Sequence, residues 1–326
     1  MSFDRIRGQE EALAALRQAL ERDRLGHAYL FSGPDGVGKG LTARALAKAM
    51  ICPSFPAAKE ACGGCPSCLK VDSSNHPDLI LVEPEGDVIR IDQVRVLKGR
   101  LRFHPLEGGR RACLIEAAER MNPAAANALL KTLEEPPAGT HFFLITARPH
   151  LLPPTILSRC QGVKFRSLTA DQIREILEKE HGLEPPKAQF FAALAGGSAG
   201  RALALSRRVD FQKRLAGLRA FGEISRAPWA KVLESCERLA KGEEELEELL
   251  DLWKFWIRDL LVYKAGGQDL INQDLKPEVA EAAPGYSFER LHFLFDRVSG
   301  VQRNILSKVS RQLLLEDLML DLRASR

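Results

Sequence analysis

Over the first 165 residues, short unbroken apolar runs alternate with segments whose apolar residues recur every three or four positions. The runs lie at residues 27–32, 78–83, 112–115 and 141–146, with a shorter one at 163–165. Runs of this kind suit strands buried on both faces. Between them, Leu13, Leu16 and Leu20 mark one face of a helix over 8–22. An Ala/Leu-rich stretch over 41–50 reads as a second helix, and Val94, Leu97 and Leu101 mark a third over 91–101. Asn122 and Pro123 open a fourth, because asparagine accepts from the first free N–H groups and proline suits the first helical position. It carries Leu129, Leu130 and Leu133 and stops before Pro136-Pro137. Strands alternating with helices predict an α/β domain over 1–166, with a mostly parallel sheet covered on both faces.

After Phe165 the strand rhythm ends. Thr169 with Gln172 fits a capping box that starts a helix running to Gly182. A second helix spans 185–195, closed by Gly196-Gly197, and a third begins near Ser198. These predict a small helical domain over 167–208. From 211 onward the chain reads as helical, with Leu246, Leu249, Leu250, Trp253, Ile257, Leu260 and Leu261 at helical spacing. A second amphipathic stretch covers 306–320, and 266–285, with two prolines, reads as a loop with short helical pieces. The third expected domain, 209–326, is all-α.

Hydrophobic residues make up 45% and charged residues 28% of the 326, which places the chain among globular proteins. Aromatics are only 6%, so aliphatic side chains must fill the cores. A net charge of +4 suits a nucleic-acid-associated complex without demanding contact with DNA. No apolar run approaches the ~18–20 residues that cross a bilayer, and the first residues carry no apolar leader. The expected setting is the cytoplasm, with no membrane contact. Disulfides are rare there, which leaves the seven cysteines to be explained otherwise.

Gly33-Pro-Asp-Gly36-Val-Gly38-Lys39 lies between a predicted strand and a predicted helix. Gly33, Gly36 and Gly38 let backbone N–H groups close around a phosphate at the helix N-terminus, and Lys39 would reach its outer oxygens. The next residue should be Ser or Thr, whose hydroxyl binds Mg²⁺. Here it is Gly40, and Thr42 points elsewhere on the helix. A hydrolytic site of this class also needs an Asp for the metal shell and a Glu for the attacking water, at the end of a later strand. The strand at 112–115 is followed instead by Glu116 and Ala117, with Glu119 too far on to take over. The pattern predicts a vestigial phosphate loop that can take ATP or ADP without hydrolysing it. The same residues also fit a loop that is only a turn kept with the fold.

Cys52, Cys62, Cys65 and Cys68 follow the spacing C-x9-C-x2-C-x2-C. Two overlapping C-x2-C steps and a fourth thiol suffice for a tetrahedral four-cysteine zinc site, and Gly63, Gly64, Pro66 and Ser67 permit the tight turns. An iron–sulfur cluster is the alternative, though the sequence offers no redox partner. Four thiolates leave no open coordination position, so the module at 52–68 is expected to staple an insertion and not to catalyse.

Together these features resemble the AAA+ subunits of bacterial DNA polymerase III clamp loaders. The resemblance rests on the cysteine insertion after the phosphate-loop helix and on Asn127-Ala-Leu-Leu-Lys-Thr-Leu-Glu-Glu-Pro-Pro137. It rests also on Leu152-Pro-Pro-Thr-Ile-Leu-Ser-Arg-Cys-Gln161, on Gly196-Gly-Ser-Ala-Gly-Arg-Ala-Leu203 and, more weakly, on 304–320. It implies a P-loop AAA+ domain with a four-cysteine zinc insertion, a small helical lid and an all-α C-terminal collar. It implies that Arg159 is an arginine finger acting in trans, in the ATP site of a neighbouring subunit, where such a group changes rates by roughly 10³–10⁵. Thr146 matches the family's polar sensor position, and Arg201 its lid arginine. Of the types sharing the pattern, the ATP-hydrolysing gamma/tau motor has the Thr and the Asp-Glu pair. Gly40 and Ala117 resemble instead the delta-prime type, a stator with eroded ATP chemistry. The implied partners are gamma/tau and delta subunits in a pentamer, with the sliding clamp and primer–template DNA reached through the complex.

Two other readings stay open. One is an active motor in which Glu116 replaces the metal ligand. The other is a zinc-bearing nucleic-acid module, against which stands the scarcity of basic residues near the cysteines, Lys59 and Lys70 at the edges. His27 and His141 read as structural, Trp253 and Trp256 as packing residues, Glu134-Glu135 as a solvated loop start, and 241–248 as a charged helix face.

Overall fold

The apolar runs form one five-stranded parallel sheet. In the computed structural model, residues 3–55, 60–107, 109–224, 227–304 and 310–323 are described. The chain divides into Met1–Ile176 with Gly196–Arg201, and Leu177–Ala195 with Ala202–Arg326. The first unit runs α1 (Glu10–Glu21), β1 (Ala28–Ser32), α2 (Lys39–Ile51), α3 (Pro66–Asp72), β2 (Leu79–Val82), α4 (Ile91–Arg100), β3 (Arg111–Ile115), α5 (Pro123–Glu134), β4 (Thr140–Thr146), α6 (Pro154–Leu157) and β5 (Gln161–Lys164). The strand order β2-β3-β4-β1-β5 places β1 between β4 and β5, with Ser32 beside Thr146. The phosphate loop and the turn after β4 therefore leave the sheet at the same carboxyl edge, where open α/β sheets place their ligands. This is the P-loop AAA+ fold with a helical C-terminal part.

Period-2 alternation sorts each strand's side chains onto the two faces. Tyr29, Phe31, Phe143 and Phe165 pack with Leu16 and Leu20 of α1 and Leu46 and Met50 of α2. Leu30, Cys113, Phe142 and Leu144 pack on the other side with Leu97 of α4, Leu129 and Leu133 of α5 and Ile156 of α6. The sheet is thus dry on both faces, and its strands lack polar alternation for that reason. The edge strand β5 differs. It begins two residues before the apolar run at 163–165 and exposes Gln161, Gly162 and Lys164.

Beyond β5 come α7 (Ala170–His181), α8 (Pro185–Leu194), α9 (Ala199–Arg208), α10 (Phe211–Ile224), α11 (Trp229–Lys241), α12 (Glu243–Lys264), α13 (Lys276–Ala282), α14 (Phe288–Asn304) and α15 (Arg311–Arg323). The capping box of α7 closes both ways: the Gln172 backbone N–H donates to Thr169 Oγ1 at 3.2 Å, and that of Thr169 donates to Gln172 Oε1 at 2.9 Å. In the second unit, α12 is the central helix, burying Leu246, Leu250, Trp253, Ile257 and Leu260. Trp256 is buried as well, so both expected packing tryptophans lie in the core. Residues 266–285 hold α13 and two single 3-10 turns, in keeping with a loop that carries short helical pieces. Of the amphipathic stretch at 306–320, the part before 310 lies outside the described residues, as does the edge lysine Lys59.

A fully buried arginine organises this unit. Arg214 of α10 stacks on Phe190 and Phe211, its Cζ 4.5 and 4.1 Å from the ring centroids. It donates to Asn272 Oδ1 at 3.0 Å and pairs with Asp274. Asp259, also without exposure, accepts from the Ile271 and Asn272 backbone N–H groups at 2.8 and 2.7 Å and so fixes that turn.

Candidate functional site

The phosphate loop keeps the shape that its glycines predict. Gly36 and Gly38 adopt φ of 70° and 104°, in the left-handed region where a side chain is strained. Lys39 opens α2, yet it is buried and turned back on its own loop. Its Nζ donates to the carbonyls of Gly33 at 2.7 Å and Pro34 at 2.5 Å. Burial lowers its pKa, against the opposing pull of Asp35, Glu119 and Glu116. The loop is also met from the 196–201 segment. The Gly200 N–H donates to Gly36 O at 3.0 Å, and Gly200 Cα lies 2.9 Å from where a β-carbon on Gly36 would stand. A side chain at either glycine would separate these two loops.

The metal- and water-handling positions form a second layer. Gly40 has no side chain to offer, and the space in front of it holds Glu116 Oε1, 3.0 Å from an ideal β-carbon. Thr42 is spent inside the helix, its Oγ1 donating to Gly38 O at 2.9 Å. Glu116 has a raised pKa, because burial disfavours its charge and Glu83 adds repulsion, while Arg44 and Lys39 oppose both. Ala117 takes a left-handed conformation (φ 46°, ψ 52°) after β3 and leads into a single 3-10 turn, Ala118–Arg120. Glu119 does reach back toward this region: its Oε1 accepts from the Ala147 N–H at 3.4 Å, beside Thr146. Thr146 Oγ1 accepts from the Arg148 N–H at 3.0 Å, so the hydroxyl at the sensor position caps its own turn. Arg201 is exposed, and its backbone N–H is capped by Ser198 Oγ at 3.1 Å.

The four clustered cysteines come together. Cys52 ends α2, and Cys65 caps α3, accepting from the Cys68 N–H at 3.4 Å. Cys52 Sγ lies 3.7 Å from that of Cys62 and 4.0 Å from that of Cys65, with Cys62 and Cys68 also 4.0 Å apart. All four sulfurs fall within 4.8 Å of one another. A tetrahedron with ~2.3 Å metal–sulfur bonds has edges of ~3.8 Å, so the quartet can hold a metal ion. Around it, the Cys62 N–H donates to Cys52 Sγ at 3.4 Å, and Lys48 pairs with Asp72 at 2.5 Å to tie α2 to α3. Cys113 and Cys236 are buried in the cores, and Cys160 packs against the α5–α6 layer.

Arg159 follows α6 on the surface, its side chain 31% exposed. Its Nε donates to Glu134 Oε1 at 2.8 Å, Nη2 pairs with the same oxygen, and Nη1 donates to Thr155 O at 2.8 Å and Ser158 Oγ at 3.2 Å. Glu134 is exposed, as expected, but it is the last residue of α5 and not a loop residue, and it is engaged with Arg159. That contact spans 25 residues, and no local pattern announces it. His141 Nδ1 lies 2.9 Å from Gly26 O, a structural role as expected.

A profile described as DNA polymerase III, delta subunit, matches residues 8–169, and one described as DNA polymerase III, delta subunit, C terminal, matches 209–324. The chain is 32% identical over 317 residues to DNA polymerase III subunit delta' of Bacillus subtilis (strain 168), covering 96% of this chain and 95% of that one. It is 30% identical over 320 residues to the subunit delta' of Escherichia coli (strain K12), covering 97% and 93%. The match to DNA polymerase III subunit tau of Bacillus subtilis is also 32% identical, but takes in 80% of this chain and 50% of that one. Among the described residues, no helix is long and apolar enough to cross a membrane.

Proposed function

The chain belongs to the DNA polymerase III delta-prime subunit family, and from that premise we propose that it is the non-hydrolysing stator of a clamp loader. In this reading it lends Arg159 to the ATP site of a neighbouring gamma/tau subunit while a sliding clamp is placed on primed DNA. It works in the cytoplasm, in a pentamer with gamma/tau and delta subunits. Residues 1–166 serve as the AAA+ domain, 167–208 as the lid and 209–326 as the collar.

The observation that carries the reading is the joint state of Gly40, Glu116 and Ala117. No hydroxyl stands at position 40, Glu116 fills the space in front of it, and Ala117 has no carboxylate to orient water. The loop of Gly33, Gly36, Gly38 and Lys39 keeps a backbone cradle, and any ATP or ADP it takes stays intact. The same three residues count against a gamma/tau-type motor. Cys52, Cys62, Cys65 and Cys68 hold one Zn²⁺, which supplies a closed four-thiolate staple between α2 and α3 and no reactive position. The functional chemistry of the chain is then concentrated in Arg159, whose guanidinium stabilises charge developing on a transferred phosphoryl group.

The test is reconstitution with gamma/tau and delta subunits, comparing clamp- and DNA-stimulated ATP turnover with this chain intact and as Arg159→Ala. A large drop with assembly unchanged by sedimentation is expected. Equal turnover would leave the chain as scaffold only.

A further inference from the structure

Arg159 is held in place before any partner arrives. A guanidinium carries five N–H groups in one plane. Here the Nε N–H and one Nη2 N–H go to Glu134 Oε1, and Nη1 donates to Thr155 O and Ser158 Oγ. The second Nη2 N–H is left over for a further acceptor. Thr155 and Ser158 belong to the same turn as Arg159, so they move with it. Glu134 does not: it ends a separate helix, α5, whose Leu129 and Leu133 are sealed in the same core as Ile156 of α6, so both backbones are anchored and the carboxylate reaches the guanidinium from a second element.

We propose that Glu134 is a positioning residue for Arg159, holding the stem side of the guanidinium so that the free Nη2 edge meets a nucleoside triphosphate bound by the adjoining subunit. The proposal rests on the finger reading above. An unheld arginine on a surface samples many rotamers, and that freedom would be lost each time the finger engaged. Catalysis by placement gains when the group is in place beforehand. What positioning requires of residue 134 is a hydrogen-bond acceptor at this reach. Its negative charge is not needed, since a carboxylate beside an incoming phosphate repels it.

This distinguishes three variants in the reconstituted loader, measured beside Arg159→Ala. Glu134→Ala removes the acceptor and is expected to lower kcat for ATP about tenfold, with KM within about twofold, because misplacement by an ångström costs up to ~10²-fold. Glu134→Gln keeps an acceptor at the same reach and is expected to stay within about threefold of the intact chain. Glu134→Asp keeps the charge but draws the acceptor back by one methylene, and is expected to fall with the alanine variant. Adding Glu134→Ala to Arg159→Ala should lower the rate no further. Assembly is followed by sedimentation and folding by thermal unfolding. If Glu134→Ala does not assemble, the contrast between Gln and Asp decides the question alone. Unchanged kcat in Glu134→Ala while Arg159→Ala is slow would overturn the proposal and leave the finger standing. Faster turnover in both Ala and Gln variants would also overturn it, making Glu134 a restraint. Wild-type turnover in Arg159→Ala would remove the finger itself.

Discussion

Oε1 of Glu116 lies 3.0 Å from the point where a β-carbon on Gly40 would stand. Two departures from the hydrolytic pattern, separated along the chain, are therefore one steric unit. A glutamate is a methylene longer than the aspartate a metal shell uses, and the added length is accommodated because position 40 has no side chain. Restoring the hydroxyl residue alone sets it against the glutamate.

Gly40→Ser should show this in a double-mutant cycle with Glu116→Asp. In the parent chain the serine must push the carboxylate aside and is expected to cost about 1 kcal/mol, despite the ~0.5 kcal/mol that serine gains over glycine in a helix. With Glu116→Asp in place the cost should vanish. Urea denaturation of the four chains measures the coupling, expected on the order of 1 kcal/mol, and strict additivity would contradict the steric account.

Glu116 also predicts a pH dependence. Burial, with Glu83 beside it and Arg44 and Lys39 opposing, raises its folded pKa above the ordinary 4.5. The folded state therefore holds this proton more tightly than the unfolded one. Its contribution to stability is present below that ordinary value and is lost as pH rises through the raised one. Glu116→Gln removes the titration, so the variant should gain stability relative to the parent as pH rises above the ordinary 4.5. A stability difference that stays flat over this rise would show that the carboxylate is not constrained.

For the cysteine quartet the measurements are metal content and unfolding. The purified chain should carry one zinc, and Cys65→Ser should lose it. Stripping the metal with a strong chelator should lower stability by on the order of 3 kcal/mol and Tm by about 5–10 °C. Cys113 serves as an internal control, since burial pushes its thiol up to about 12 and keeps it inert to thiol reagents in the folded chain. Full thiol reactivity of the four cysteines in the untreated protein would argue against a bound ion.

Arg214→Ala should be the most damaging of these changes in the second unit. It strips the two aromatic rings of their cation and leaves Asn272 and Asp274 facing a void. The expected loss is about 3 kcal/mol, by the rule for breaking one partner of a buried pair, and is read from the urea midpoint. A loss under about 1 kcal/mol would show that the ring stack and the ion pair are not coupled to folding.

Much of this was legible because it is local. The five strands, the glycine loop, the cysteine quartet and the capping box of α7 each depend on residues close in sequence. The exceptions have physical causes. Strand β5 starts early because an edge strand needs few apolar residues to hold its place. The helices α3 and α6, of seven and four residues, are too short to display a period, although Pro66 and Pro154 at their first turns are signals of a helix start. The Gly36–Gly200, Glu116–Gly40 and Arg159–Glu134 contacts join distant segments, and periodicity is silent about such pairs. Lys39 is the most instructive case. The motif specifies which residue reaches toward a phosphate, and the structure shows it bonded to its own loop.

The Arg214 cluster bears on the order in which the chain can be completed. Its polar partner Asn272 lies 58 residues downstream, while the ring of Phe190 lies upstream. A chain leaving the ribosome from its N-terminus has α8 and α10 in hand long before the turn that neutralises the arginine. Until that turn arrives, a cation meant for a dry interior has only water and two rings for company, and burying it early is unfavourable. Burying the cation is therefore favourable only with the turn that carries Asn272 and Asp274 in place, which ties the packing of α8 and α10 to a segment far along the chain.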